Sequence, residues 1–135
     1  MPSTRLVGIG IDLISWNRVR RFLANHSFEF LKRLFTPSEQ TAFHKTKSPV
    51  EFFARSFTAK EAYFKACGGS IMGEQGFRGI EILIEKKNRF QVGVDLCVHP
   101  PDQTGRHVGR PLQPKTVGKF FSTPDGIGAQ IFVWK

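Results

Sequence analysis

The chain has 135 residues, of which 40% are apolar and 14 are Phe, and this size and composition are typical of one folded domain rather than of a disordered segment. Its formal net charge of +9 predicts attraction to a polyanion, which includes nucleic acid, anionic lipid, a phosphorylated small molecule and an acidic protein. The excess charge lies mainly in residues 1–65, which hold 11 basic and 5 acidic residues.

Two classes of protein are disfavoured by what the sequence lacks. Cys67 and Cys97 are too few and too isolated to form a disulfide framework or a zinc site. The first residues do not follow the pattern of a signal peptide, and no stretch approaches the ~18 apolar residues of a membrane span. We therefore expect a cytoplasmic protein without a membrane partner.

The first elements are a strand and two helices. Residues 5–11 form an apolar run with β-branched side chains, which predicts a strand with Asp12 at its C-terminal tip. From Ser15 the apolar spacing becomes helical, and residues 28–35 repeat that spacing more briefly. The apolar positions of the first helix are Trp16, Val19, Phe22 and Leu23.

Two capping boxes predict the next helix starts. Residues 36–39 and 48–51 each place a hydroxyl at the N-cap, Pro at the first helical position and Glu at the third. The second of these helices is predicted to run to about Ala66, where Gly68 and Gly69 stop it.

The second half of the chain has the alternation of strands. Residues 80–85 and 90–98 alternate apolar and polar side chains around a turn at 86–88, which predicts a hairpin. Residues 99–116 contain four Pro and two Gly and are predicted to be a loop. The runs 117–121 and 129–134 predict a final hairpin.

This order of elements predicts an α+β fold in which helices pack on a mostly antiparallel sheet, within a single domain spanning residues 1–135. The pair Gly8 and Gly10 lacks the third glycine of a dinucleotide-binding fingerprint, so that function is not predicted. Nucleic-acid binding is a further hypothesis from charge alone, but no RNA-binding aromatic signature or zinc finger supports it.

Charged side chains interrupt an aromatic stripe on the helix that starts near Ser48. Glu61 and Lys65 lie one turn apart, on a face that also carries Phe57 and Phe64. An arbitrary Glu-Lys pair at this spacing is most often a surface ion pair worth ~0.3 to 0.5 kcal/mol. Asp12 has an equally ordinary interpretation as the cap of the helix that follows it.

The combination of these segments is more specific than either alone. The stretch GIGIDLISWNR (residues 8–18), followed some forty residues later by FARSFTAKEAYFKA (residues 53–66), resembles the holo-acyl-carrier-protein synthase type of 4'-phosphopantetheinyl transferase. Residues 36–39 and 80–82 are also similar to segments of that family. The family positions matched here are Asp12, Arg18, Phe57, Lys60, Glu61, Ala62 and Lys65.

The resemblance implies transfer of 4'-phosphopantetheine from coenzyme A to a serine of an acyl carrier protein, with release of 3',5'-adenosine diphosphate. It implies Asp12 and Glu61 as ligands of Mg²⁺, which commonly takes one or two protein carboxylates. Lys65 would stabilise charge on the leaving phosphate, and Glu61 is alternatively the residue that orients or deprotonates the serine.

Further contacts follow from the same resemblance. Coenzyme A is expected to contact six residues: Phe57, Lys60, Lys65, Gly68, Gly69 and Ser70. The carrier protein is expected to dock on Arg18 and Arg21, with Arg18 ranked first. The resemblance also implies a homotrimer whose active sites lie between subunits.

Two positions depart from the family pattern. Pro124 stands where the family usually has His, and proline supplies neither a side-chain donor nor an amide donor. The family's Arg before the helix Phe is Ser56 here, with Arg55 one position earlier and about 100° around the helix. The alternative function is therefore a catalytically impaired paralogue that binds coenzyme A or a carrier protein.

Overall fold

The computed structural model describes residues 4–68, 76–85, 88–94 and 115–135. Five strands within these ranges form one sheet in which every neighbouring pair is antiparallel, in the order β1-β5-β4-β3-β2. The predicted α+β fold is confirmed. The strands are β1 (Leu6–Ser15), β2 (Ile80–Ile84), β3 (Arg89–Val94), β4 (Lys115–Thr123) and β5 (Gly126–Trp134).

Among the described residues between β1 and β2 there are four α-helices, and a short 3-10 helix, Gly76–Gly79, leads directly into β2. The first helix starts directly after Ser15, as the apolar spacing predicted. Its N-cap is Ser15, which accepts a hydrogen bond from the amide of Arg18, and not Asp12. The α-helices are α1 (Trp16–Asn25), α2 (Phe28–Leu31), α3 (Pro37–Lys45) and α4 (Pro49–Ala66).

The two predicted capping boxes differ in outcome. At α3 the Thr36 hydroxyl accepts from the amide of Glu39, and the Glu39 carboxylate accepts from the amide of Thr36. At α4 the predicted start and end are confirmed, but the box is wrong because Ser48 makes no side-chain cap bond. Pro49 at the first position still favours a helix start there.

Other boundaries also move. The prediction that the first strand ends at Asp12 is wrong, because pairing with β5 continues to Ser15 and places Asp12 inside β1, opposite Ala129. The helical pattern of residues 28–35 yields only the four residues of α2. Lys115 and Thr116, assigned to the predicted loop, are the first residues of β4; residues 99–114 lie outside the described residues.

The main core lies where α4 covers one face of the sheet, hereafter the inner face. Ala54, Ala59 and Ala62 of α4 are fully buried. Their small side chains allow the helix to lie close to the strands beneath it. The buried side chains that the sheet contributes to the core include Phe90, Phe120, Ala129, Ile131 and Val133.

The opposite, outer face of β1 is apolar yet exposed. Ile9, Ile11 and Leu13 alternate with the inward residues of the strand and are 55%, 54% and 56% exposed. Their neighbours on β5 include Gln130 and Phe132, which are only half-buried. Single exposed apolar residues are ordinary, but a contiguous row of them marks a contact surface. In the described part of the chain, none of the helices is long and apolar enough to cross a membrane.

Candidate active site

The site forms where β1 lies against α4, and two glycines allow that contact. A Cβ atom placed on Gly10 would come within 1.7 Å of the carbonyl oxygen of Ala62, and one on Gly8 within 1.9 Å of that of Ala66. Any side chain at these positions would push the strand away from the helix. The glycines therefore have a structural role, since they allow β1 to lie close enough to α4 for Asp12 to reach Lys65. This role was not predicted from the sequence, in which these glycines were considered only as part of a dinucleotide-binding motif.

Asp12 and Lys65 form an ion pair across this contact. The Lys65 Nζ donates to Asp12 Oδ1 at 2.7 Å and to the carbonyl oxygen of Ile11 at 3.3 Å. The Asp12 side chain is 15% exposed whereas that of Lys65 is 52% exposed. The carboxylate is therefore partly enclosed, and the ammonium remains accessible to an incoming anion.

The negative charge of Glu61 interacts with that of Asp12, and these two side chains are called the carboxylate pair below. Partial burial raises the pKa of Glu61, the negative charge of Asp12 raises it further, and the positive charges of Lys65 and Arg18 oppose both effects. The four side chains therefore belong to one electrostatic cluster. Three of the four, namely Asp12, Glu61 and Lys65, are the residues that the family resemblance implied for the site.

The carboxylate pair suits a hard divalent cation. Two carboxylates at one place repel each other, and a cation between them would remove that repulsion. Among the described residues no cluster of three or more His, Cys, Asp or Glu side chains is found. A metal here would thus have two protein carboxylates, with water or phosphate oxygens as its other ligands, which is the donor set that Mg²⁺ commonly takes.

Lys60 lies in a different environment from its predicted one. Its side chain is 1% exposed, and its Nζ donates to Glu39 Oε2 at 2.6 Å, to the carbonyl oxygen of Leu34 at 2.6 Å and to that of Phe77 at 2.9 Å. Burial lowers the pKa of Lys60, and the negative charge of Glu39 opposes that effect. All three ammonium hydrogens have protein acceptors, so we assign Lys60 a structural role rather than a contact with coenzyme A.

The remaining predicted coenzyme A contacts are only partly described. Phe57 is half-buried, stacked on Phe53 with ring centroids 5.6 Å apart. Gly68 ends α4 with φ of +71°, a backbone conformation that favours glycine. Gly69 and Ser70 lie outside the described residues.

Comparison with known proteins decides between a generic acidic site and a specific one. A family model described as the 4'-phosphopantetheinyl transferase superfamily matches residues 8–110 of the chain. The matched region includes Asp12, Glu61 and Lys65. The chain belongs to this superfamily. The predicted enzyme class, a phosphopantetheinyl transferase, is confirmed.

Similar curated proteins identify the type of transferase. The holo-[acyl-carrier-protein] synthase of Halalkalibacterium halodurans is 31% identical over 98 residues, which cover 70% of this chain and 82% of that protein. That of Enterococcus faecalis is 42% identical over 81 residues, which cover 58% of this chain and 68% of that protein. The predicted resemblance to the holo-acyl-carrier-protein synthase type is thus confirmed.

Solved structures of such synthases have the same fold. The crystal structure from Neisseria meningitidis superposes with a TM-score of 0.74 at 26% identity, covering 97% of this chain and all of that one. The structure from Bacillus anthracis, in complex with CoA (3',5'-ADP), gives a TM-score of 0.70 at 26% identity and covers 96% of this chain and 97% of that one.

The basic residues of this transferase on α1 are exposed. Arg18 and Arg21 both present their side chains to solvent, and of the two only Arg18 is among the charges that act on Glu61. Arg20, beside them, donates to the side chain of Asn17 at 3.3 Å. This places the predicted docking residue Arg18 at the edge of the site.

The two departures from the family pattern have definite locations. Arg55 pairs with Glu51 at 2.9 Å and lies 5.0 Å from the ring centroid of Phe120, while Ser56 is buried. Arg55 therefore makes contacts of its own within α4 and the sheet. Pro124 is exposed in the turn between β4 and β5, next to Asp125, whose carbonyl oxygen accepts from the amide of Trp16.

Proposed function

We propose that this transferase moves 4'-phosphopantetheine from coenzyme A to a serine hydroxyl of an apo acyl carrier protein, with 3',5'-adenosine diphosphate as the leaving group. The serine oxygen forms a bond to the β-phosphorus of the coenzyme A diphosphate, the bond from that phosphorus to the bridging oxygen breaks, and the serine proton is released. The observation that supports the proposal is the ion pair of Asp12 and Lys65 across the contact of β1 and α4, with Glu61 one helical turn before Lys65 and under the influence of both charges.

We propose Mg²⁺ as the cation at the carboxylate pair of Asp12 and Glu61. When bound, Mg²⁺ neutralises charge on the phosphoryl group under attack. Asp12 lies in β1 and Glu61 in α4, so a substitution of one carboxylate leaves the backbone that carries the other unchanged. Partial burial disfavours an unpaired negative charge on Glu61, and a bound cation would offset that cost.

Lys65 is proposed to bind the phosphate that leaves. Two of its hydrogens are directed to Asp12 and Ile11 in the described structure, which leaves the third for a phosphate oxygen. Its accessible ammonium would offset negative charge as it develops on the departing phosphate. Glu61 is either a metal ligand or the group that orients and deprotonates the serine; both roles need its carboxylate where it lies.

The carrier protein is proposed to dock on the basic surface of α1. Arg18 and Arg21 are exposed there, and the first half of the chain holds most of the net positive charge. An acidic partner would be drawn to this surface by long-range attraction that salt weakens. Because the charge of Arg18 acts on Glu61, a carrier docked there would have its serine near the carboxylate pair.

We also propose that copies of the chain associate through the outer face of β1, in the homotrimer that the family resemblance implied. Ile9, Ile11 and Leu13 form its apolar row, and Asp12 lies between two of them on the inner face. A neighbouring subunit that covered the row would therefore lie beside the active site. Light scattering of an Ile11→Glu variant should give a smaller particle than the wild type, while Leu83→Glu on the opposite edge strand should not.

A second function is supported by Pro124. If the family's usual His contributes a phosphate contact, Pro124 cannot supply it, since proline has no hydrogen-bond donor. Under this alternative the protein binds coenzyme A or a carrier protein without transferring the arm. Calorimetric titration with coenzyme A, with and without Mg²⁺, alongside a transfer assay separates the two functions.

The decisive experiment is a transfer assay analysed by mass spectrometry. The protein is mixed with coenzyme A, Mg²⁺ and a panel of apo carrier proteins, and one carrier should gain the mass of a single phosphopantetheine arm. The Glu61→Gln variant keeps the size of the side chain and removes its charge, so it should abolish the gain. Glu85→Gln, an exposed residue after β2, is the matched control. No mass gain with any carrier, despite binding of coenzyme A, would favour the binding paralogue.

A further inference from the structure

A buried polar network connects four elements on one side of α4. Glu39 of α3 is 4% exposed, and its Oε2 accepts from Lys60 while its Oε1 accepts from the amide of Ile82 in β2 at 2.9 Å. The second carboxylate of the network, Glu81, accepts from the hydroxyl groups of Ser38 and Thr36. The network thus binds the start of β2 to the N-terminal end of α3.

The same network fixes the 3-10 helix Gly76–Gly79. Lys60 holds the carbonyl oxygen of Phe77 at 2.9 Å, and Glu39 holds the backbone five residues further along, at Ile82. The Glu39–Lys60 ion pair therefore holds the 3-10 helix at Phe77 and the strand that follows it at Ile82. A hydrogen bond to a charged group is stronger than one between neutral groups. We therefore expect the hydrogen bonds from Lys60 and Glu39 to fix the position of the 3-10 helix.

The position of Phe77 matters because of what its ring touches. The ring lies edge-on to Phe57 with centroids 6.0 Å apart and edge-on to Phe64 with centroids 6.4 Å apart. Phe57 and Phe64 are seven residues apart on α4, and Glu61 lies between them on the same face. The ring of Phe77 therefore spans the part of the helix that carries Glu61.

We propose that the Glu39–Lys60 ion pair and Phe77 together act as a positioning device for Glu61. The ion pair holds the 3-10 helix in place, and Phe77 forms an apolar wall on the flank of Glu61 that keeps water from that side of the carboxylate. Glu39, Lys60 and Phe77 are positioning residues, since none of them is required to touch substrate. The role in catalysis rests on the proposed function, whereas the wall itself is a property of the fold.

The test measures access to Glu61 directly, with carbodiimide and glycine amide as the probe and mass spectrometry to locate the label. Phe77→Leu should raise the labelling rate of Glu61 several-fold. Phe43→Leu is the matched control, because Phe43 is likewise half-buried and contacts other aromatic rings, away from α4's Glu61 face. Lys60→Met should also raise the labelling rate of Glu61, provided that this variant folds. If it does not fold, the labelling of Phe77→Leu by itself tests whether Phe77 shields Glu61.

Turnover is the second measurement. In the transfer assay, Phe77→Leu should lower kcat by ~10- to 100-fold, since a misplacement of about 1 Å can cost that much, with KM for the carrier little changed. Equal labelling of Glu61 in Phe77→Leu and Phe43→Leu would overturn the proposal. A wild type that shows no transfer, with the labelling difference intact, would instead reject the proposed function and leave the wall established.

Discussion

Replacing Gly10 by alanine adds one methyl group at the closest approach of β1 and α4. The new Cβ would lie 1.7 Å from the carbonyl oxygen of Ala62, whereas real Cβ contacts essentially never fall below 3.0 Å. The strand and helix must therefore separate by about 1.3 Å at this point. Both neighbours are backbone, so no side chain can rotate to relieve the contact.

Two measurable effects follow from this separation. Overpacking of this kind costs about 1–3 kcal/mol, which for a domain of this size lowers the thermal midpoint by several degrees. Separation of β1 from α4 also displaces Asp12 relative to Lys65, whose Nζ lies 2.7 Å from Asp12 Oδ1 in the wild type. A shift of about 1 Å in a catalytic group can lower turnover ~100-fold. The loss of activity should thus exceed what the fraction of unfolded protein explains.

Gly93→Ala is the control, because a Cβ there meets nothing closer than 3.8 Å, the distance to Leu83 Cδ1. Thermal denaturation should give similar midpoints for the wild type and Gly93→Ala and a lower midpoint for Gly10→Ala. The transfer assay on folded protein should likewise give similar turnover for the first two and a far lower turnover for Gly10→Ala. A Gly10→Ala protein that turned over at the rate of Gly93→Ala would refute the argument that these glycines set the geometry of the site.

Three further outcomes are expected. Lys65→Met should lower kcat by ~10²- to 10³-fold in the transfer assay, because one donor to the leaving phosphate is lost; a change only in KM would contradict that role. Arg18→Glu should raise KM for the carrier and weaken the dependence of that KM on salt, whereas Arg20→Glu should change this KM less. Equal effects of the two variants would show that only the net charge of the protein matters. In a Cys97→Ser background, Cys67 should be alkylated more slowly at pH 8 than in the denatured chain, since burial raises the pKa of its thiol. Because that pKa is raised, the difference should shrink as the pH rises through the folded-state value, and a rate equal to that of the denatured chain would oppose it.

Most of the fold could be predicted because local chemistry determines it. The capping box at Thr36, the helical spacing from Ser15 and the alternation after residue 80 all depend on near neighbours in the chain, and each appears where expected. The strand end at Asp12 was misplaced because pairing with β5, more than a hundred residues away, extends β1. No pattern within the strand itself reports on that partner.

The candidate site was predictable in part for the same reason. The family resemblance pointed to Asp12, Glu61 and Lys65, and the structure places Asp12 and Lys65 in contact, with Glu61 within range of their charges. Lys60 was assigned to coenzyme A because its position in the motif does not reveal that Glu39, from another helix, forms a buried ion pair with it. The close approach at Gly10 was also missed, although two glycines at alternate positions of an apolar strand indicate that backbone from another element lies against one face.

The alternation along β1 also fixes how the strand can pair. Its inward positions include Gly8, Gly10 and Asp12, and its outward positions include the bulky, apolar Ile9, Ile11 and Leu13. Sliding the strand by one residue against β5 would exchange the two sets. Isoleucine side chains would then collide with the carbonyl oxygens of α4, and the acid would turn outward, away from Lys65. The residues that shape the contact between β1 and α4 therefore also fix the register of the strand, and a chain paired in the wrong register would also lack the site.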